Sequence, residues 1–509
     1  MPTRRIEALL AEAARARPEA TAYAVAGKKG VDAISYGALA DRARRLATWL
    51  AQSAGVGEGD RVGLCLSKSP RMLTAVYGVL AAGAAYVPLD PAAPAKRNQA
   101  IAEGCDLRLI IDGQFDWSPA DATAPEVPLV GEARDDQAPA YLLHTSGSTG
   151  RPKGVVLSHR NALAFVESMG AAFGFRADDV FAHHAPLHFD LSVFDLFVAA
   201  SVGAAVEGVP PMLGMFPRKL AAFIDERRIT VWNSVASLVT MLVQRGGIGV
   251  EATCPRLRLL FFSGDVLAPA TLGALGRALP HARSVNIYGQ TEANSSLAAG
   301  FDAAEAASWD AAEPLPLGRP LPGFEVRLVD ETGACVTTPG VRGELVVGGE
   351  TVGAGYWGMP DAPRFGADPA GRSERRFYWT GDHATRDVHG DFYFAGRADD
   401  QIKTRGHRVA LGEVERALAA QPEVAEGVVW AVPDTTMGRR IVGAFVPRDG
   451  KEEPRAVTRR VLGGLRQQLP AYMLPEPLQA LPSLPRTATG KVDRTALREG
   501  FAARLSPSR

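Results

Sequence analysis

The sequence predicts an α/β protein: a large N-terminal domain with parallel sheets covered by helices plus a β-rich subdomain, then a small mobile C-terminal α+β domain. Between about residues 60 and 300, apolar runs such as AYLLH (140–144), TVWNSV (230–235) and LRLLFFS (257–263) alternate with helical stretches. This spacing is typical of parallel sheets. From about residue 315, short strands with turns, as in GVRGELVVGG, indicate the β-rich subdomain. Beyond residue 398, helical GEVERALAAQ and strand-like GVVWAVPD and IVGAFVPR indicate the α+β domain.

The chain length implies more than one domain, because 509 residues exceed what one hydrophobic core usually organises. The polar stretch GRADDQIKTRGHR (396–408) begins and nearly ends with glycine, and such a stretch can absorb a rotation between two bodies. We therefore predict a large domain at 1–398 and a small one at 399–509.

The composition excludes several classes of protein. Lys plus Arg and Asp plus Glu are equal at 56 each, which argues against a surface built to grip nucleic acid or an anionic membrane. The 4 cysteines are widely spaced without a C-x-x-C pattern, so neither a disulfide framework nor a zinc cluster is indicated. The N-terminus lacks the apolar run of a signal peptide. A cytoplasmic protein without nucleic-acid or membrane partners is expected.

The strongest local signal is HTSGSTGRPKG (144–154), which follows an apolar strand. Its glycines let backbone N–H groups turn toward one anion, its hydroxyls add donors, and its lysine supplies a point charge suited to phosphate. The residues predicted to bind phosphate are Thr145, Ser146, Gly147, Ser148, Thr149, Gly150 and Lys153. The alternative is a flexible surface loop. The Walker pattern G-x-x-x-x-G-K-[ST] is absent.

Four further segments complete a pattern. They are FDLSVFDLF (189–197), NIYGQTEAN (286–294), YWTGDHATRDVHGDFYFAGRADDQIKTRGHR (378–408) and PRTATGKVDR (485–494). With the loop at 144–154, they resemble the adenylate-forming superfamily of acyl-CoA synthetases, luciferases and peptide-synthetase adenylation domains. The resemblance spans nearly the whole chain and keeps the family's order and spacing. It implies an ATP-dependent ligase that forms an acyl-adenylate and then a thioester, with ATP and Mg²⁺ as cofactors.

The resemblance also implies roles in binding ATP. The loop at 145–153 would contact the β- and γ-phosphates. Tyr288 would stack on or flank adenine, Thr291 would contact the α-phosphate, and Glu292 would hold Mg²⁺. A hard, hydrated Mg²⁺ that needs one carboxylate plus phosphate oxygens fits a lone glutamate.

Four later residues take further roles by resemblance. Asp382 in TGD would accept both ribose hydroxyls, and Arg397 would add a ribose or phosphate contact. Asp399 matches the hinge position. Lys491 in TGK corresponds to the lysine that bridges the substrate carboxylate and the α-phosphate, so Lys491, Thr291 and Glu292 are the predicted catalytic residues.

Asp190 in FDLSV decides the subclass. In amino-acid-activating relatives an aspartate here pairs with the substrate's α-ammonium, and a buried carboxylate is costly without a cationic partner. The alternative is a helix N-cap. The match of FDLSVFDLF to the amino-acid pattern favours the substrate role.

Aligning the motifs gives a provisional substrate pocket with bulky walls, which predicts a small amino acid: alanine first, then serine or glycine. Its residues are Asp190, Leu191, Phe194, Asn233, Phe261, Ser263, Ile287, Ser295, Ser296 and Lys491. The L form is the default. A D-alanine–carrier-protein ligase is a competing reading, although Ser263 stands where that group usually has cysteine. His183, His184 and His188, just upstream, are predicted to be core or pocket-edge histidines.

The acceptor is predicted to be the phosphopantetheine thiol of a separate carrier protein, because no carrier domain follows Lys491. By resemblance, Lys403 and Gly406 lie in the loop that faces the thiolation tunnel. Secondary-metabolite biosynthesis, of nonribosomal peptides or polyketide macrolactams, is inferred by analogy.

Two rival hypotheses remain open. An acyl-CoA ligase for a non-amino acid would keep its activity in Asp190→Ala. A non-enzymatic relative would bind nucleotide without turnover. YGQTE also departs from the peptide-synthetase preference for proline at Gln290; some acyl-activating relatives have glutamine there.

Overall fold

The computed structural model describes residues 4–27, 30–116, 127–130, 135–145, 152–310, 312–359, 362–397, 401–434, 438–449, 452–486 and 492–505. They form two compact units. The first contains the described residues within 1–91, 101–145 and 153–399, and the second contains those within 92–100 and 400–509 together with Pro152. The predicted boundary between 398 and 399 lies outside the described residues and stays a prediction.

The strands are numbered in chain order. They are β1 (Thr21–Gly27), β2 (Gly30–Ser35), β3 (Arg61–Cys65), β4 (Ala85–Pro88), β5 (Leu109–Asp112), β6 (Pro139–Thr145), β7 (Lys153–Ser158), β8 (Val180–His183), β9 (Ala205–Gly208), β10 (Val231–Val235), β11 (Leu259–Ser263), β12 (Arg283–Gln290), β13 (Asn294–Phe301), β14 (Arg319–Pro320), β15 (Phe324–Val329), β16 (Gly343–Gly349), β17 (Gly355–Tyr356), β18 (Phe365–Gly366), β19 (Phe377–Arg386), β20 (Phe392–Arg397), β21 (Gln401–Thr404), β22 (His407–Ala410), β23 (Val424–Asp434), β24 (Gly438–Pro447) and β25 (Leu478–Ala480).

The helices are numbered in the same way. They are α1 (Ala8–Ala16), α2 (Tyr36–Gln52), α3 (Pro70–Ala82), α4 (Ala95–Gly104), α5 (His159–Phe173), α6 (Leu191–Val193), α7 (Ala199–Val202), α8 (Pro217–Glu226), α9 (Ala236–Arg245), α10 (Pro269–Ala278), α11 (Ala303–Ser308), α12 (Leu411–Ala419), α13 (Pro454–Arg466) and α14 (Arg494–Leu505). A π-helical turn, Phe194–Val198, joins α6 to α7. In the described part of the chain, no helix is both long enough and apolar enough to cross a bilayer.

Local sequence accounts for the helix ends. Ser69 caps α3 by accepting the N–H of Met72, Pro70 occupies the first turn, and Gly83 ends the helix in a left-handed conformation. At the start of α5, the Ser158 hydroxyl and the Asn161 amide form a reciprocal capping box. These signals set the boundaries of helices whose apolar faces then pack on the sheets.

Two largely parallel sheets organise the first unit. One has strand order β14-β13-β12-β11-β10-β8-β9-β1-β2 and the other β17-β7-β6-β4-β3-β5. In the first sheet, β12, β11, β10, β8, β9 and β1 run parallel to their neighbours, while the outer strands pair antiparallel. The largest hydrophobic cluster combines side chains of both sheets with those of α2, α3 and α5. The predicted fold class is confirmed.

The β-rich subdomain is an antiparallel sheet of order β15-β16-β19-β18, with β20 paired to β19. Its strands β15 and β16 cover the segments that the sequence predicted for it, GFEVRLVDETG and GVRGELVVGG.

The second unit contains a sheet of order β23-β24-β25 with helices on both faces. Val414 of α12 and Val461 of α13 belong to one apolar cluster, and Phe501 of α14 packs on Trp430 in another. The polar stretch that the sequence predicted as a hinge is a hairpin from residue 401 on. Its turn residues Arg405 and Gly406 both have positive φ, 51° and 78°, as in the two-residue turns that suit strand twist.

Asp179 links the beginnings of three neighbouring segments of the large sheet. It is buried just before β8, Arg258 Nε donates to it at 2.8 Å, and Thr230 Oγ1 at 2.7 Å. Burial raises the pKa of this carboxyl, but the hydrogen bonds from Arg258, Thr230 and the backbone N–H of Arg176 outweigh it and hold the pKa below its usual range.

We expect Asp179→Asn to lower the free energy of unfolding by about 1–3 kcal/mol near pH 7, because charge-assisted hydrogen bonds are lost. The folded-state pKa is depressed, so this stabilisation is present above the unfolded pKa and is lost as pH falls through the folded pKa. Urea unfolding at pH 7 and pH 3 should therefore give a difference between wild type and variant that shrinks at pH 3. Asp178→Asn, at an exposed neighbour, is the matched control. A difference independent of pH would contradict the assignment.

Candidate active site

The carboxyl ends of parallel strands bring together residues that are distant in the sequence. In the large sheet, Asn233 of β10 lies beside Phe261 of β11, and Val235 lies beside Ser263. Phe261 in turn lies beside Val285 of β12, two residues before Ile287. Because parallel strands end at one edge, Ser263 and Ile287 come near that edge, where open α/β sheets commonly bind ligands.

Asp190 begins the helical segment α6 to α7 but does not cap it: its side chain makes no hydrogen bond to the helix N-terminus. Instead, Thr291 Oγ1 donates to Asp190 Oδ2 at 2.8 Å. The N-cap alternative therefore does not account for this aspartate. The residue predicted to pair with the substrate ammonium lies against the residue predicted to contact the α-phosphate.

Aromatic rings fill one side of the predicted pocket. Phe194 is 4% exposed, Phe261 is 1% exposed, and their ring centroids are 5.1 Å apart. Phe173, which ends α5, packs edge-on against Phe261 at 4.9 Å, and Phe175 contacts both predicted wall residues. Phe173 and Phe175 were missed from the sequence, where they look like an ordinary helix end. The rings leave little depth on this side.

Asn233 is oriented by a buried carboxylate that sequence reasoning missed. Its Nδ2 donates to Asp195 Oδ1 at 3.3 Å, and Asp195 is fully buried in the π-helical turn. Burial raises the pKa of Asp195, with Asn233 and Lys68 acting in the opposite direction. Burial also lowers the pKa of Lys68 to about 7, although Asp195 raises it. A sequence pattern cannot show that these side chains share one interior site.

The histidines upstream of Asp190 lie in the interior or near its edge. Tyr23 Oη and His183 Nδ1 are 3.0 Å apart, and the His184 ring lies 5.6 Å from the ring of Trp232. Burial and the Lys68 ammonium lower the pKa of His184 to about 3, so this imidazole is neutral at neutral pH. His188 Nε2 is 3.9 Å from Asp90. None of this requires a histidine base.

Asp382, predicted to accept the ribose hydroxyls, is 1% exposed and is held by three side chains. Tyr288 Oη donates to its Oδ2 at 2.7 Å, and Gln290 Nε2 donates to the same oxygen at 2.9 Å. Arg397, opposite Asp382 in the β19–β20 pairing, forms an ion pair with Oδ1. Burial and then Asp382 raise the pKa of Tyr288, so its hydroxyl stays a donor. Gln290 was not among the predicted site residues.

Glu292, predicted to hold Mg²⁺, is 2% exposed and accepts a hydrogen bond from Tyr356 Oη at 2.7 Å. Lys153 Nζ lies 5.2 Å from the centre of the Tyr356 ring. Among the described residues, no group of three or more His, Cys, Asp or Glu side chains is arranged to hold a metal ion. A single hard carboxylate completed by phosphate oxygens and water suits Mg²⁺, so the residues present fit the ion.

A three-residue hairpin loop explains how Thr291 and Glu292 are held. Gln290 of β12 pairs with Asn294 of β13, and the Ala293 N–H bonds to the Gln290 carbonyl. Asn294 has φ 58°, the left-handed residue that such loops need. The tight turn keeps Thr291 next to Asp190 and Glu292 next to Tyr356.

The remaining predicted residues are only partly within view. Ser296 Oγ donates weakly to the Tyr288 carbonyl at 3.4 Å, Ser295 pairs with Gly289, and Leu191 is half-buried at the start of α6. Thr145 pairs with Lys153 across β6 and β7. Lys403 and Gly406 belong to the hairpin of the second unit. Several predicted residues lie outside the described part of the chain: Ser146, Gly147, Ser148, Thr149, Gly150, Asp399 and Lys491.

Comparison with known proteins agrees with this arrangement. Residues 10–357 match the family model of the AMP-binding enzyme, and residues 413–491 match that of the AMP-binding enzyme C-terminal domain. The chain is 35% identical over 92% of its length to an L-proline--[L-prolyl-carrier protein] ligase of Pseudomonas fluorescens, covering 94% of that protein. It is 34% identical over 91% of its length to a ligase of the same name from Streptomyces coelicolor, covering 91% of it.

Longer relatives and a solved structure extend the likeness. Three synthetases match over 91% or more of this chain, which covers only 18%, 6% and 26% of their lengths. The crystal structure of IdnL1 has a TM-score of 0.79 and 30% identity, with 95% of this chain and 100% of that chain covered. The chain therefore belongs to the AMP-binding enzyme family, as the motifs predicted, and is an ATP-dependent ligase that uses ATP and Mg²⁺.

Proposed function

We propose that this ligase activates a small amino acid as its aminoacyl-adenylate and passes the aminoacyl group to the phosphopantetheine thiol of a carrier protein. The observation that carries the proposal is the hydrogen bond of 2.8 Å from Thr291 to Asp190. It joins a carboxylate suited to an α-ammonium with a hydroxyl suited to an α-phosphate. An amino acid bound there has its own carboxylate directed toward the phosphate it must attack.

The reaction has two steps. A carboxylate oxygen of the amino acid attacks the α-phosphorus of ATP, the bond from that phosphorus to the bridging oxygen breaks, and pyrophosphate leaves. The carrier thiol then attacks the acyl carbon, AMP leaves, and the thiol proton passes to solvent. Both reactants of the first step are anions, so the protein must position them and neutralise the developing charge. We assign the α-phosphate to Thr291 and the bridging role to Lys491.

Glu292 is the proposed residue for Mg²⁺, which when bound neutralises negative charge on the phosphates. Tyr356 donates to Glu292 and thereby fixes the orientation of that carboxylate. Because burial and then Glu292 raise the pKa of Tyr356, its hydroxyl remains protonated and continues to donate at neutral pH.

The aromatic cluster supports a small substrate. Phe194 and Phe261 are buried and packed on each other, which closes one side of the pocket to a long side chain. The sequence predicted alanine first, then serine or glycine. Asn233 donates to Asp195, which weakens the case for a serine hydroxyl partner. Two relatives named as L-proline ligases favour proline. We propose a small apolar amino acid, either alanine or proline.

A carrier protein is the proposed acceptor because those same relatives are named for a prolyl-carrier protein. The β21–β22 hairpin, with Lys403 on one strand and Gly406 in its turn, is the proposed segment facing the thiol. An acyl-CoA ligase for a non-amino acid is less well supported, because nothing in such an acid would pair with Asp190.

Amino-acid-dependent ATP–pyrophosphate exchange tests the proposal. We expect exchange with L-proline or alanine and little with large amino acids, and loss of at least about 100-fold in Asp190→Ala, since a charged partner inside the pocket is removed. The panel should contain the proteinogenic L-amino acids, glycine, D-alanine and β-alanine. Lys491→Ala should also lose exchange, while Asp178→Asn, at an exposed carboxylate, should not. Exchange with simple carboxylic acids that survives Asp190→Ala would instead identify an acyl-CoA ligase.

Tyr356→Phe should raise the Mg²⁺ concentration needed for half-maximal exchange by roughly 3–10-fold, because the carboxylate of Glu292 loses the donor that orients it. The measurement is an Mg²⁺ titration at fixed ATP and amino acid. Tyr393→Phe, on β20, is the control. An unchanged Mg²⁺ requirement would show that Tyr356 does not act through Glu292.

A further inference from the structure

Gln290 occupies a central position between two residues assigned to the nucleotide. Its amide nitrogen donates to the Tyr288 hydroxyl and also to Asp382 Oδ2, at 2.9 Å. Tyr288 donates in turn to the same carboxylate oxygen at 2.7 Å. The three side chains form a closed triangle of hydrogen bonds in which the amide supplies two N–H groups and the carboxylate only accepts.

This triangle lies in the interior. Gln290 is 5% exposed, Tyr288 is 5% exposed and Asp382 is 1% exposed. Burying a flexible amide costs side-chain entropy and hydration, so a buried glutamine persists only where its hydrogen bonds repay that cost. The hydrogen bonds of Gln290 join the end of β12 in the large parallel sheet to β19 in the β-rich sheet.

We propose that Gln290 is a positioning residue that holds Asp382 ready to receive the ribose hydroxyls of ATP. The inference rests on the proposed function in one respect, that Asp382 is the ribose acceptor. Arg397 holds one oxygen of this carboxylate, and Gln290 together with Tyr288 holds the other. A carboxylate offers about four acceptor positions, so it can keep these donors and still accept a hydroxyl. The ribose then meets an acceptor whose rotation is already restricted.

The chemistry makes the residue type decisive. Proline, which peptide-synthetase relatives prefer here, has no side-chain donor, and neither has methionine, which is close to glutamine in length. Without the amide, Tyr288 alone would orient Oδ2, and both the adenine-flanking ring and the carboxylate would gain freedom. The effect should appear in how the enzyme senses the ribose hydroxyls and should not appear in the amino-acid pocket.

The test measures binding directly, so it does not depend on which acid is activated. Isothermal titration calorimetry with Mg²⁺ gives the dissociation constants of ATP, 2′-deoxy-ATP and 3′-deoxy-ATP for wild type, Gln290→Met and Asp382→Asn. Gln114→Met, at an exposed glutamine, is the matched substitution elsewhere. Thermal unfolding of each variant reports any general loss of stability.

We expect Gln290→Met to weaken ATP binding roughly tenfold, the loss of about one hydrogen bond to a charged group. Its binding of the two deoxy analogues should change much less, so discrimination between ATP and these analogues falls toward that of Asp382→Asn. An equal loss for all three nucleotides, or unchanged discrimination with a lower melting temperature, would overturn the proposal and leave Gln290 a structural residue. If wild type binds ATP with this discrimination but activates no amino acid, the proposed substrate class fails and the role of Gln290 stands.

Discussion

The segment from Tyr288 to Glu292, at the end of β12, makes the hydrogen bonds on which the site depends. Tyr288 and Gln290 reach Asp382 in the β-rich sheet, Thr291 reaches Asp190 after β8, and Glu292 reaches Tyr356 in the second parallel sheet. Five consecutive residues thus connect three sheets of the first unit. A tight hairpin loop, with Asn294 in the left-handed conformation, gives this segment its shape. Because the loop is short and paired on both sides, a change in one contact is transmitted to the others.

Buried charge is a second feature of this region. Asp382 and Glu292 are almost fully buried, yet each receives hydrogen bonds from neutral or cationic donors. A buried carboxylate without such partners would be strongly destabilising. The same donors fix the direction in which each carboxylate can accept a further ligand. Stability and preorganisation for an anionic nucleotide with its cation therefore arise from the same hydrogen bonds.

The aromatic cluster and the buried polar groups beside it shape the other half of the site. Phe194 and Phe261 pack with rings from α5, which limits the side chain of the substrate. The π-helical turn carries both Phe194 and Asp195, so one local irregularity presents a ring to the pocket wall and a carboxylate to Asn233. Single π-turns inside helices are often found at functional sites. Substrate size and the orientation of Asn233 are consequently linked through one helical turn.

The sequence by itself determined the family, the ATP-dependent chemistry and the strands at 140–144, 230–235 and 257–263, because ordered motifs and apolar periodicity are local properties of the chain. It also identified Asp190, Thr291, Glu292 and Asp382 as residues of interest. Only the tertiary structure decided that Thr291 donates to Asp190, that Gln290 and Tyr356 orient the two buried carboxylates, and that Asp195 lies under Asn233. These pairs are separated by between 38 and 101 residues. No local pattern reports such a contact, since it exists only when parallel strands and their loops bring distant segments to one edge.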